Sequence, residues 1–252
     1  MIGLIRAEFR KLVTTQVWFW MLLLALALTA LGVVGVILGS DNDAELTAQV
    51  RDVFTAASLA FTYVPMFVLG VLAITTEFRY RTITPTVLTT PSRWTLITAK
   101  IIAYALVGIA YALGCVLLEL AIGLPWLGAK GIDYSFDDQV GGLLAVFAVL
   151  VLFTLFGLGA GALLKNQIVA VTVGVIFIMV IVNVVVNIPG VKYAYPYLPT
   201  GLVNGIITRT NATRTINDVT LLSPGVAGLV LVVWGIGLAL LGAGITMRRD
   251  IG

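Results

Sequence analysis

A chain of 252 residues that is 60% hydrophobic and 11% charged lies far from the roughly 45–50% apolar and 25% charged usage of soluble globular domains, so lipid must be the solvent for most of it. It has no histidine and one cysteine, Cys115, which excludes a cysteine metal cluster, an intramolecular disulfide and the usual general base at neutral pH. Its net charge of +3 is distributed over the ends of apolar runs and forms no continuous basic stripe, an arrangement that argues against nucleic acid as a partner.

In chain order, the first element predicted is an interfacial helix. Leu4, Ile5, Phe9 and Leu12 recur at helical spacing, with Arg6, Arg10 and Lys11 between them, the pattern of an amphipathic helix lying at a membrane surface. The apolar stretch that follows, from Val17 to Leu38, is longer than the 7–15-residue core of a cleaved signal peptide. It therefore reads as a retained first span.

Five further apolar runs have the roughly 20-residue length a membrane crossing needs: residues 53–75, 99–124, 140–164, 168–188 and 226–247. The expected fold is an all-α integral membrane protein with six transmembrane helices, built as a single transmembrane domain over residues 1–252. Between the fifth and sixth spans, Pro189, Pro196, Pro199 and Pro224, the tyrosines Tyr193, Tyr195 and Tyr197, and an apolar stretch from Leu198 to Ile207 too short to cross predict a re-entrant or interfacial helical element with its tyrosines at headgroup level.

Orientation follows from the rule that lysine and arginine stay on the cytoplasmic side. Ten lie on the side that holds both termini (Arg6, Arg10, Lys11, Arg79, Arg81, Arg93, Lys100, Lys165, Arg248 and Arg249) and five on the other. The opposite side collects eight acids, from Asp41 to Asp218. Both termini, the loop near residues 76–98 and the tight turn at Lys165-Asn166-Gln167 are thus expected in the cytoplasm, and the protein in the inner (cytoplasmic) membrane.

The cytoplasmic loop carries the most specific sequence. After Glu77 come Arg79, Arg81-Thr82-Ile83-Thr84-Pro85-Thr86-Val87-Leu88, then Thr90-Pro91-Ser92-Arg93 and, further on, Lys100. Phe78, Ile83, Val87 and Leu88 form the apolar side of a short amphipathic helix, and Thr90-Pro91 is an N-cap followed by proline at the first helical position, starting the third span's helix below the membrane.

That loop, with the Arg248-Arg249-Asp250 ending and the six-span layout, resembles the ABC-2 type permease family, the membrane-spanning subunits of ABC exporters. The resemblance implies a non-catalytic permease that pairs with a second permease copy, identical or similar, and is driven by separate cytosolic ATPase subunits, which hold the ATP and magnesium. It implies that the loop between the second and third spans is a coupling helix, with Glu77, Arg79, Arg81, Thr82, Pro91, Arg93 and Lys100 in the coupling region. The N-terminal helix, with Arg6, Phe9, Arg10 and Lys11, is implied to contribute to the same contact. Many members have glycine where this chain has Arg81, which leaves the register of the docking helix open.

ATP hydrolysis by the chain itself is not expected. The stretch nearest to a phosphate-cradling loop, Gly123 to Lys130, has an extra residue before the lysine and no hydroxyl after it, and falls on the outer side.

Three polar residues inside spans are candidates for a substrate pathway or subunit interface. Glu119 is a carboxylate in the third span, where a functional role is the default hypothesis, although a half-solvated position near the outer helix end would need none. Asn183 and Asn187 share one face of the fifth span, where they would bond across an interface or serve as packing within the subunit. Gly157, Gly159 and Gly161 supply small surfaces for close helix approach.

The alternative from another class is an ATPase-independent membrane transporter or a membrane assembly or sensor subunit. An ion-coupled transporter should carry several buried acids or broken helices at midplane, and the spans hold one acid.

Overall fold

The computed structural model describes residues 2–39, 62–80, 93–131, 136–164, 166–208 and 215–249. The predicted helix after Phe78, with Arg81, Thr82 and Pro91, lies outside the described residues, as do the first part of the second span and the outer connection before it.

Helix α1 (Ile2–Thr14) is followed by α2 (Val17–Gly39). The turn between them is tight because Gln16 adopts the left-handed conformation, φ 51°, and the Trp18 indole donates to the Val13 carbonyl at 3.2 Å. Helices α3 (Tyr63–Arg79), α4 (Arg93–Ala129) and α5 (Phe136–Leu164) come next. The fifth predicted span is segmented into α6 (Gln167–Ile176), a π-helical turn (Phe177–Ile181) and α7 (Val182–Val185). A 3-10 turn (Lys192–Tyr197), α8 (Pro199–Ile207), the hairpin β1 (Thr215–Ile216) and β2 (Val219–Thr220), and finally α9 (Pro224–Arg249) complete the chain.

Among the described residues, five helices are long and apolar enough to cross a membrane: Val17–Gly35, Thr95–Ala129, Val140–Leu164, Gln167–Val185 and Pro224–Gly242. Helix α3, described over 17 residues, corresponds to the second predicted span.

Several boundaries differ from expectation. The third span's helix, expected to start below the membrane, is described from Arg93, but it continues through Pro125 to Ala129, so proline does not end it at Leu124. Helix α5 begins at Phe136, ahead of Val140. The Lys165-Asn166-Gln167 turn works through Asn166, whose side chain caps α6 by accepting from the backbone N–H groups of Ile168 at 3.0 Å and Val169 at 3.2 Å, satisfying donors that a helix start leaves bare.

Helix α5 is the centre of the molecule, and glycine makes that possible. A Cβ on Gly157 would run into the backbone of Phe67, and one on Gly70 into the backbone of Thr154, so α3 and α5 meet main chain to main chain. The next small residue faces elsewhere: a Cβ on Gly159 would lie 2.6 Å from the Gly235 carbonyl oxygen of α9. The predicted small surface thus serves two different helix pairs within one subunit. Aromatic rings close the same layer, with Tyr63 against Phe153 at 4.9 Å, Phe67 against Phe156 at 5.2 Å and Phe156 against Trp234 at 6.1 Å between centroids.

The described residues between α7 and α9 share a small core with the end of the fifth span. Tyr195, Val182, Val186 and Leu221 are buried together, and Asn204 donates to the Tyr195 hydroxyl at 2.6 Å. Of the three tyrosines expected at headgroup level, Tyr195 is therefore buried, and only Tyr193 and Tyr197 are exposed. Helix α8 is no surface element: Leu202, Val203 and Ile206 pack into the main core with Ala227 and Leu231 of α9.

Candidate functional site

The strongest concentration of charge inside the described structure lies where α1, α3 and α4 meet. Glu8, Glu77 and Lys100 are only 3%, 4% and 3% exposed. Lys100 Nζ donates to Glu8 Oε2 at 2.6 Å, to Glu77 Oε1 at 2.9 Å and to the Ala73 carbonyl at 3.2 Å. All three ammonium protons thus have acceptors. Lys11 Nζ, at the edge of the cluster, bridges the same two carboxylates through Glu8 Oε1 at 2.7 Å and Glu77 Oε1 at 2.6 Å.

Two lysines and two glutamates cancel in charge, which is the condition for burying ions at all, since an uncompensated buried charge costs several kcal/mol after relaxation. Burial alone would lower the pKa of Lys11, but the hydrogen bonds and charges of Glu77 and Glu8 outweigh it and hold the ammonium above its ordinary value of 10.5.

Local sequence explains how the four groups converge. Helix α1 turns Ile5, Phe9 and Leu12 onto the core. Glu8 falls on that same face and is carried inward with them, because residues three and four apart stack on one side of a helix. The apolar face of α1 is consequently packed on protein, a correction to its reading as the membrane-facing side of an interfacial helix. Glu77 sits at the last turn of α3, and Lys100 lies two turns into α4.

Of the residues assigned to the coupling region, the structure thus brings Glu77 and Lys100 together and adds Lys11 from the predicted interfacial helix. Arg79 is separate: its guanidinium donates to Gln167 Oε1 at 3.3 Å and stacks over Tyr80 at 5.7 Å. Arg93 opens α4, with its side chain outside the described set, and Arg81, Thr82 and Pro91 lie outside it altogether. Arg6 and Arg10 are exposed and Phe9 is partly buried.

Glu8 is the residue that sequence reading missed. Its signal was present: an acid at the same helical face as Leu4, Ile5 and Leu12 cannot face lipid or core without a cation, and Lys100 stands just inside a spanning run.

The pathway candidates occupy different surroundings. Glu119 is fully buried, one turn beyond Cys115 on α4, so the half-solvated position considered for it does not hold. The Cys115 thiol lies against the Thr29 hydroxyl of α2, which is 3.3 Å from that of Thr62. Asn183, in α7, donates back to the Ile178 carbonyl at 3.3 Å and the Met179 carbonyl at 3.0 Å in the π turn. Asn187 bonds back to the Asn183 carbonyl at 2.9 Å and accepts from Asn217 at 2.9 Å. Both asparagines make these bonds within the subunit while remaining exposed on its surface.

Comparison with curated proteins finds no match. A model of the family described as ABC-2 family transporter protein matches residues 4–200, a stretch that begins in α1, takes in the whole charge cluster and ends at the start of α8. With five apolar helices of crossing length among its described residues, this multi-pass membrane chain belongs to the ABC-2 transporter family as a permease component.

Proposed function

We propose that the chain is the permease half-unit of an ATP-driven exporter, pairing with a second permease and taking its power from separate cytosolic ATPases that bind ATP and magnesium. In this reading residues 53–61 complete a second span, giving six, and both termini face the cytoplasm of a cell whose inner membrane holds the protein. Residues 81–92 form the docking element between α3 and α4, and α8 with its buried Leu202, Val203 and Ile206 is a re-entrant element on the outer side.

The observation that carries the reading is the Glu8–Lys11–Glu77–Lys100 cluster. Residues 81–92 follow the helix α3, whose Glu77 lies two residues before its end, and lead into α4, where Lys100 lies two turns in. Both stems of the loop are therefore pinned to each other and to α1 by ions that are costly to separate. A push on the loop is then delivered to three helices together instead of being lost in one flexible connection. Motion of α3 reaches α5 directly, because Gly70 and Gly157 leave no side-chain cushion between them.

Export would proceed by rearrangement of helices as the ATPases close and reopen, with no chemistry on this chain. The pathway would run along the permease–permease boundary, where the exposed Asn183 and Asn187 are the polar groups of the fifth span. Glu119, buried within the subunit, is better placed to steady α4 than to touch cargo.

The test is co-purification of the tagged chain, expressed with its genomic neighbours, in mild detergent. An ATPase should accompany the wild type and be lost with Arg81→Glu, which changes the loop and leaves the cluster untouched. A monodisperse wild type that brings no ATPase would overturn the reading in favour of an ATPase-independent transporter or sensor subunit.

A further inference from the structure

The ion cluster also fixes which way α1 faces outward. At 100° per residue, Ile2, Arg6, Arg10 and Val13 form one stripe about 80° wide, opposite Glu8 and Lys11. All four are exposed, Ile2 at 84% and Val13 at 60%. Glu8 is the sole acid of α1, and the cluster has turned it inward. No carboxylate among the described residues pairs with Arg6 or Arg10.

From this stripe we infer that the outer face of α1 is a binding site for anionic phospholipid headgroups. Three observations select that occupant. Side chains four apart on a helix start about 6 Å from each other, so the two guanidinium forks are within reach of one phosphodiester, whose paired non-bridging oxygens a planar fork matches bidentately. Trp18, Phe19 and Trp20 open α2 immediately after the turn, with Phe19 and Trp20 exposed, and such residues mark the headgroup level. The Trp18 indole, bonded to the Val13 carbonyl, ties the end of α1 to that level. Ile2 and Val13 bracket the arginines on the same stripe, giving apolar contact with the acyl boundary at both ends. An acidic protein surface would use the arginines but leave Ile2 and Val13 exposed to water.

The helix is thus shared between two environments. Its apolar side and Glu8 belong to the protein, and its arginine side belongs to the membrane surface. A lipid clamp there would hold α1, and through the ion cluster both loop stems, against the bilayer surface.

The full chain is purified from membranes in mild detergent, offered equal phosphatidylglycerol and phosphatidylcholine, and analysed for retained lipid by native mass spectrometry. Wild type should retain phosphatidylglycerol selectively, and Arg6→Gln/Arg10→Gln should fall to the phosphatidylcholine level. Lys130→Gln, an exposed basic position elsewhere, should behave as wild type, and 1 M salt should strip the lipid, since it screens charges beyond about 3 Å. Both arginines are exposed, so thermal melting of the double variant should match wild type. Equal retention of the two lipids by wild type, or undiminished phosphatidylglycerol on the double variant, would overturn the inference. A double variant that keeps its lipid but loses a co-purifying ATPase would assign the stripe to a protein instead.

Discussion

Lys100 Nζ lies 2.6 Å from Glu8 Oε2, an ion pair that closes a separation of 92 residues and is buried on both sides. Removing one partner leaves the four-ion cluster with an unbalanced buried charge, whereas removing both leaves Glu77 paired with Lys11 and the cluster neutral. Glu8→Gln or Lys100→Met alone should therefore destabilise the protein by about 3–5 kcal/mol, and the double variant should cost less than the sum of the two. Thermal unfolding in detergent, followed by size-exclusion chromatography, measures the cycle. Additive losses would show that Glu8 and Lys100 act independently.

Lys11 responds differently because it is partly exposed. Its pKa is raised above 10.5 in the folded protein, so its contribution is fully present below the ordinary lysine value and is lost as pH rises through the higher folded value. The stability difference between wild type and Lys11→Met should be constant from neutral pH to about 10 and shrink above that. Melting temperatures of the two proteins across an alkaline series give the answer, and a difference that grew with pH would reverse the assigned sign.

The membrane class and the approximate places of the apolar helices were legible because a 20-residue apolar run has few other uses. What the sequence concealed were properties of pairs. The inward turn of Glu8 depends on Lys100 being delivered to the same point by a different helix. The division of Gly157 and Gly159 between α3 and α9 depends on how three helices are arranged around α5. The π turn in the fifth span leaves no compositional mark in Phe177–Ile181, which reads as uninterrupted apolar helix. Tyr195 was misplaced because periodicity cannot distinguish an interfacial tyrosine from one whose hydroxyl has found Asn204.

Gly157 tests the central contact. Any side chain there meets the main chain of Phe67, which has no rotamer by which to withdraw, so Gly157→Ala must spread α3 from α5. Such overpacking costs about 1–3 kcal/mol. Gly225→Ala, where a Cβ meets nothing within 4 Å, is the matched control. Thermal melting should separate the two clearly, and equal effects would mean that α3 and α5 are not in main-chain contact.

The π turn leaves the Ile178 carbonyl in need of a donor, since the Val182 N–H bonds to Phe177 instead. Thr200 of α8 supplies one at 3.0 Å and Asn183 another at 3.3 Å. Thr200→Val keeps the shape and removes the buried donor. A loss of about 1 kcal/mol is expected, in line with hydrogen bonds between membrane helices, and Thr200→Ser should retain most of the stability. If valine and serine behave alike in thermal melts, the hydroxyl is not what supports the turn.

Asn217 does two things at the β1–β2 hairpin, and they can be separated. Its backbone, with that of Asp218, is left-handed at φ 50° and 64°, the two-residue turn that matches the twist of an antiparallel pair. Its side chain donates to Asn187 Oδ1 at 2.9 Å and the Val186 carbonyl at 3.4 Å, fastening the hairpin to the end of the fifth span. Asn217→Gly keeps the turn and loses only the fastening, while Asn217→Ala loses the fastening and also bears the left-handed penalty of about 1–2 kcal/mol. Melting temperatures should therefore fall in the order wild type, glycine, alanine. Glycine equal to wild type would show that the link to Asn187 contributes nothing, and alanine equal to glycine would show that the turn, and with it the hairpin, forms no part of the cooperative unit.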